Sequence, residues 1–332
     1  MIFSSESSFR LSYTNISMQK TCPRKFYLKY LLKAKPDSEE DQSAFFFGTV
    51  FHRYLEDTKH TPKKVVSQSK GAGFKTIDIP CYVSEEQLKV SWDAEMLEAP
   101  VSVKEWDEKK NEVTKLQIGA CLQTFFTRHV KSGLICIACE VEIALKNLIA
   151  YVDVIYVDNT GGWWIGDLKT ASSLNVQNLQ ATLHKNLQLS IYATFRNEVA
   201  EKLGLDVKKF RGVRYLSTTK SKAAVIRPFE EFVVKNMSES YDIVIPNILL
   251  VDSSELLNEQ METVEIMEKM KEEGVPASRV ACNYNACFDY FRPCMFWSYC
   301  YGQKFGEDSG VKVYTTSSKY PTDLVIDEEE SV

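Results

Sequence analysis

The chain lacks any run of about 18 apolar residues, and its opening stretch, MIFSSESSFR, has no basic segment followed by an apolar block. Neither a membrane span nor a secretory leader is expected. The reading is of a cytoplasmic protein, or a viral one acting in its host cell, with no membrane partner. Glycine (14) and proline (10) are sparse among 332 residues, which excludes collagen-like and low-complexity chains. Excess charge is missing too: 40 basic against 45 acidic side chains leave a net charge of −5, and residues 307–332 alone hold seven acids and two lysines. The remainder is near neutral, so bulk charge argues neither for nor against nucleic acid, which needs only a local basic surface. No GxxxxGKS/T motif is present, so the chain carries no phosphate-binding loop of a motor. No repeat of 20–50 residues recurs.

A 44% hydrophobic, 26% charged composition is that of a globular protein with a sizeable core. Nine cysteines are many, but the number is odd and the chain too long to depend on disulfide staples, which raises metal or cluster ligation.

Helical spacing runs over 15–32, interrupted at Pro23, and over 45–57. Residues 62–80 are rich in Lys, Ser and Gly and read as a surface excursion, and 84–126 are helical again. The runs LICIACEVEIAL, LIAYVDVIYVD and WWIGDLKT predict a strand meander. Helix returns over 174–203, strands are expected at 210–217 and 223–233, and a charged amphipathic helix at 254–273. The order predicts a mixed α/β core, with an acidic, flexible tail at 306–332.

Asp167 and Lys169 are two apart in a strand, so their side chains leave one face. Joining the two preceding runs through Asn159-Thr160-Gly161, with Gly161 left-handed, pairs Asp158 with Gly162 and therefore Asp153 with Asp167. Two carboxylates in such a pair lie ~5 Å apart at Cβ and repel unless a cation intervenes, and hard oxygen ligands favour Mg²⁺ or Mn²⁺. A lysine beside that ion can orient a water and stabilise phosphate charge. The bland alternative is a surface hairpin with an incidental ion pair, and a one-residue slip in register would separate the acids by face. Gly48, His52 and Glu56 share one helical face, with His52 a candidate nitrogen ligand. Gln188 and Tyr192 likewise share a face.

This ordered set resembles the RecB-type branch of the PD-(D/E)XK nucleases, near the CRISPR-associated and phage-encoded RecB-like exonucleases. The similarity runs from the CP-x-x-F entry at Ser17 to Phe26 through Gly48-x-x-x-His52, Asp153 and Asp167-x-Lys169 to Gln188-x-x-x-Tyr192. It departs at Val152, where a proline is usual, and at Ala150 and Tyr151, where a glycine is. The resemblance implies a restriction-endonuclease-like mixed sheet flanked by helices, and a metal held by His52, Asp153, Asp167 and the Leu168 carbonyl. Lys169 would be the catalytic lysine, with Gln188 and Tyr192 in support.

Cys287, Cys294 and Cys300 follow C-x6-C-x5-C among aromatics, which leaves one ligand missing. The family's iron-sulfur members join one early cysteine to three late ones, which implies Cys22, with Cys282 the rival. Four thiolates accept either a 4Fe-4S cluster or Zn²⁺. Either would clasp the two ends of one nuclease domain over 1–305, made of N-terminal helices (15–60), a helical insertion (61–135), the catalytic sheet and motif helix (136–235) and a helix with the cysteine clasp (236–305). Cys136 and Cys139, three apart on a strand, are expected on opposite faces.

Lys208, Lys209, Arg211, Arg214, Lys220, Lys222 and Arg227 can line a phosphate track, with Tyr215 for stacking, or form a solvated basic edge, and Arg24, Lys25 and Lys29 form a second basic set. The expected function is a metal-dependent exonuclease on single-stranded or end-containing DNA in processing, recombination or repair. Unwinding is left to a partner helicase or recombinase, or to a pre-existing end. The alternative is a catalytically silent nuclease fold that binds DNA or a recombination partner.

Overall fold

A computed structural model describes residues 9–34, 43–61, 81–129, 132–145, 147–224, 228–250, 252–289 and 292–301. The excursion at 62–80, the tail and Arg227 lie outside them. The β-branched middle of the chain folds as the expected meander, β1 (Ile135–Leu145), β2 (Leu148–Val157) and β3 (Trp163–Ala171), all antiparallel. β4 (Phe210–Thr219) lies parallel to β3, and β5 (Ser240–Pro246) closes the sheet antiparallel to β4, in the order β1-β2-β3-β4-β5. A parallel neighbour needs a crossover. The three helices of 174–203, Val176–Thr182, Leu187–Thr194 and Arg196–Leu203, supply it.

Numbered in chain order, the helices are α1 (Tyr13–Thr21), α2 (Pro23–Phe26, running into a π turn at Tyr27–Leu31), α3 (Ser43–Thr58), α4 (Glu85–Leu97), α5 (Val101–Lys104) and α6 (Glu108–His129). The crossover helices are α7 to α9, followed by α10 (Phe229–Lys235), α11 (Ser254–Glu272) and α12 (Trp297–Tyr301). Among the described residues no helix is long and apolar enough to cross a membrane.

The strand expected at 223–233 is a correction. Pro228 caps α10, Glu230 and Glu231 occupy its first turn and Lys235 its last, while Phe229, Phe232 and Val233 are buried at helical spacing. The fifth strand comes later, so the sheet outruns the expected 136–235.

Two cores lie against the sheet. One gathers Ile155, Trp163, Ile165 and Val213 with apolar residues of α1, α8, α9 and α11. The other gathers Val154, Tyr156, Leu168 and Leu216 with α3, α4, α6 and α10. The result is a helix-sheet-helix sandwich, the mixed α/β architecture expected.

A bulge on β4 sets the approach of the last two strands. Phe210 pairs with Trp163 and Gly212 with Trp164, so Arg211 is the extra residue. Gly212 has φ +139°, and a Cβ there would stand 2.1 Å from the Ile245 carbonyl oxygen. Gly212→Ala is expected to destabilise the fold by about 3 kcal/mol or more, read by denaturant unfolding.

Candidate active site

The β2–β3 turn forms as counted. Gly161 is left-handed at φ +76°, and the Asp158 N–H donates to the Gly162 carbonyl at 2.9 Å. Val157 pairs with Trp163 and Val154 with Gly166. One step beyond that last pair the Leu168 N–H donates to the Asp153 carboxylate at 2.7 Å, so Asp153 faces β3 beside Asp167. Both acids are buried.

The Lys169 ammonium donates to Asp167 Oδ1 at 2.8 Å and lies 4.0 Å from Asp153 Oδ2. Burial alone would lower the Lys169 pKa. Asp167 and Asp153 outweigh it and hold the pKa above the usual lysine value, so the group stays an ammonium. Asp167 moves the other way: burial, then the Asp153 charge, pushes its carboxyl up to about 7. Its Oδ2 is buried and has no hydrogen-bond partner among the described residues.

His52 reaches the same stretch of β3 from α3, with Nε2 3.1 Å from the Leu168 carbonyl oxygen and Nδ1 3.8 Å from Glu140 Oε1. Burial opposes protonation of His52, but Glu140 and Asp153 more than offset it and the pKa is raised. A side-chain carbon added at Gly48 would stand 3.6 Å from the Thr170 hydroxyl, and an open cleft of about 730 Å³ is lined by Gly48, His52, Glu56, Glu140, Lys169 and Lys220. Tyr215 is the cross-strand partner of Asp167.

Gln188 and Tyr192 act from the crossover. Gln188 Nε2 donates to the Tyr192 hydroxyl at 2.7 Å, which donates to the Tyr151 carbonyl at 2.7 Å. The pair ties α8 to β2 two residues before Asp153.

Sequence reasoning passed over Glu140. Ligand atoms of His52, Glu140 and Asp153 all lie within 4.8 Å of one another. The signal was available: Leu145 pairs with Leu148 across a two-residue turn, and counting back sets Glu140 opposite Asp153. Less legible is the left-handed backbone at Glu140, φ +47°.

The basic residues disperse. Arg24, expected on a nucleic-acid face, is buried and donates to the carbonyls of Val280 at 3.0 Å and Ser278 at 2.9 Å. Arg214 is a second correction: strand alternation puts it on the face opposite Asp167, where it pairs with Asp242 and sits 5.4 Å over the Trp164 ring. Arg211, the bulge residue, braces the β2–β3 turn through Asp158 at 3.0 Å and Thr160 at 2.6 Å. It lies about 12 Å along the strand from Asp167 at ~3.3 Å per residue. Lys25 lies near Cys294. Of the later set, Lys220 alone among the described residues lines the cleft beside His52 and Lys169.

Cys22 and the late cysteines lie in one corner of the fold. The Arg24 N–H donates to the Ala281 carbonyl at 3.0 Å, and the Asn283 side chain donates to the Thr21 carbonyl at 2.9 Å, which brings Cys22 against the C-terminal segment. There the Cys294 N–H donates to the Cys287 carbonyl at 2.7 Å, closing a ribbon of β6 (Phe288–Asp289) and β7 (Arg292–Pro293). Burial, then Cys22, Cys300 and Cys287, push the Cys282 thiol up to about 12, so five sulfurs share this corner, Cys294 among them. Leu28, Met295 and Phe296 form a small apolar core beside it.

A test of the carboxylate pair follows from charge. In metal-free protein the folded state holds a proton on Asp167 that the unfolded chain, with the ordinary carboxyl value of 3.8, has released. Folding therefore loses stability, by a few kcal/mol, as pH rises from about 4 to about 7. Scanning fluorimetry in chelator should show the melting temperature falling over that window, and Mn²⁺ should raise it more at pH 7.5 than at pH 5. A flat profile in chelator would contradict the electrostatics described.

A family model for the PD-(D/E)XK nuclease superfamily matches residues 10–301. No curated protein matches the chain.

Proposed function

The chain belongs to the PD-(D/E)XK nuclease superfamily, whose members use divalent metals, and from that membership we propose that it is a Mg²⁺- or Mn²⁺-dependent DNA exonuclease of the RecB-like branch. The observation that carries the reading is the buried Asp167 Oδ2, which has no hydrogen-bond partner among the described residues, beside the Asp153 carboxylate. Two buried acids with an oxygen left unsatisfied are costly in an apo protein and ordinary around a hard cation.

Asp153, Asp167, the Leu168 carbonyl and His52 would hold the ion, and Glu140 joins them. The metal would supply Lewis acidity at the scissile phosphate. Lys169 remains protonated and donates, so its role is to hold an oxygen of the phosphate or of the attacking water and to stabilise developing charge, not to accept a proton. Gln188 and Tyr192 fix β2 where it presents Asp153. Lys220 at the cleft offers a contact for backbone phosphate.

We read the cysteine corner as a cluster site in the same domain. A single tetrahedral ion holds its thiolates about 3.8 Å apart, from Zn–S bonds of ~2.3 Å. No three of these cysteines, among the described residues, have sulfurs within 4.8 Å of one another. A cubane spaces its thiolates wider, which favours 4Fe-4S over Zn²⁺, with Cys22, Cys287, Cys294 and Cys300 as ligands and Cys282 the alternative first ligand. Without a motor motif, access to DNA depends on a free end or on a partner helicase or recombinase.

The test is digestion of linear and covalently closed circular DNA by pure protein in Mg²⁺ or Mn²⁺. Progressive loss of the linear form with survival of the circle is expected. Cleavage of the circle would replace the exonuclease reading with an endonuclease one. Binding of DNA without hydrolysis in either metal would leave the silent nuclease fold.

A further inference from the structure

Three groups that the nuclease reading does not use meet behind the first strand. β1 carries a bulge between Cys136 and Ala138, with Ile137 as the extra residue. Three residues apart on a regular strand would point to opposite faces, but the bulge restores a common face. The Cys136 and Cys139 sulfurs are 3.4 Å apart. His60 enters from the end of α3, where Lys59 and His60 are both left-handed, at φ +48° and +55°. A ring nitrogen of His60 and both sulfurs lie within 4.8 Å of one another.

We propose that His60, Cys136 and Cys139 form a binding site for a thiophilic cation, Zn²⁺, separate from the hard-ion site at Asp153 and Asp167. Two thiols and an imidazole are a soft donor set that suits Zn²⁺ and not Mg²⁺. The sulfur separation is far beyond the ~2.05 Å of a disulfide and slightly under the ~3.8 Å of two thiolates on one tetrahedral ion. His60 Nδ1 is hydrogen-bonded to the Tyr156 hydroxyl at 2.8 Å, the kind of outer contact that orients metal-binding imidazoles. The histidine is buried among Phe125, His129 and Tyr156. Burial, with His129 and His52 nearby, pushes its pKa down to about 3, so the ring is neutral. Both cysteines are only half-buried, which leaves a way in. Binding releases the two thiol protons to solvent, and the fourth tetrahedral position falls to water.

The place of the site gives it a consequence. Cys139 immediately precedes Glu140, which approaches His52 at 3.8 Å. An ion on the bulge clamps the strand segment that presents Glu140 to the cleft. The inference itself stands on the His60, Cys136 and Cys139 geometry and needs no nuclease activity.

Because the C-terminal cysteines also bind soft metals, the readout must be residue-specific. Reduced full-length protein is alkylated with iodoacetamide with and without one to two equivalents of Zn²⁺, and each cysteine is scored by peptide mass mapping. Labelling of Cys136 and Cys139 should slow at least about tenfold with Zn²⁺. Co²⁺ titration provides a second measurement: the wild type should take up one more equivalent of tetrahedral cobalt, by its visible d–d absorption, than the Cys136→Ser/Cys139→Ser variant. Equal labelling with and without Zn²⁺ would overturn the proposal. So would recovery of the two sulfurs as a disulfide that, once reduced, binds no cobalt.

Discussion

Asp167→Asn is expected to abolish DNA cleavage while raising the melting temperature of the metal-free protein at pH 7.5. The two effects have one origin. The Asp167 carboxyl is held up to about 7 by burial and by Asp153, so ionising it opposes folding unless a cation is bound. Asparagine keeps an oxygen to accept from Lys169 and removes the charge, which relieves the fold and deletes an anionic ligand. A residue important only for packing would lower stability and activity together. Lys169→Ala separates the roles further. It should reduce single-turnover cleavage by about 10³-fold, the range of a lost charge-stabilising donor, and leave Mn²⁺ binding in place. Loss of metal affinity in Lys169→Ala with normal cleavage per bound ion would contradict the assignment.

The second large effect is at the cysteine corner. Cys22 and Cys287 are separated by 264 residues, and a cross-link closing so long a loop removes on the order of 5 kcal/mol of chain freedom from the unfolded state. Cys287→Ser should strip the absorbance of the proposed cluster and lower the melting temperature by about 10 °C or more. Cys121→Ser is the control. Cys121 is buried in the α6 core, its thiol donating to the Thr219 carbonyl at 3.1 Å, far from the clasp in sequence. That substitution should cost about 1 kcal/mol and leave the cluster unchanged. Equal losses from the two variants would mean that Cys287 contributes packing and nothing more.

How far the sequence could be read depended on whether a feature was local. The register at Asp153 and Asp167 followed from a turn three residues long, because Gly161 left-handed between Asp158 and Gly162 leaves one pairing. The helix carrying Gly48, His52 and Glu56 was legible from spacing alone. Features set by tertiary packing were not. Arg24 looks like a surface cation in TCPRKF, and it is buried only because the C-terminal segment, more than 250 residues later, presents carbonyls to it. Arg214 and Tyr215 are neighbours in sequence and leave opposite faces of β4, so a cluster of basic letters did not make a basic surface. The bulge at Cys136 reverses simple alternation, and that hid both the Cys136–Cys139 pair and the turn of backbone at Glu140. The stretch 223–233 reads as a strand in sequence, but from Pro228 onward a proline cap and helical spacing decide it.

Asp153 and Asp167 are proposed to hold a divalent ion beside the middle of β3. An anomalous-difference map from crystals soaked in Mn²⁺, collected at the manganese edge, tests it directly. A peak is expected within ~2.2 Å of a carboxylate oxygen of each acid and close to the Leu168 carbonyl, absent from Asp167→Asn crystals. A peak elsewhere, or none at saturating Mn²⁺ with both carboxylates as they stand beside Lys169, would contradict it.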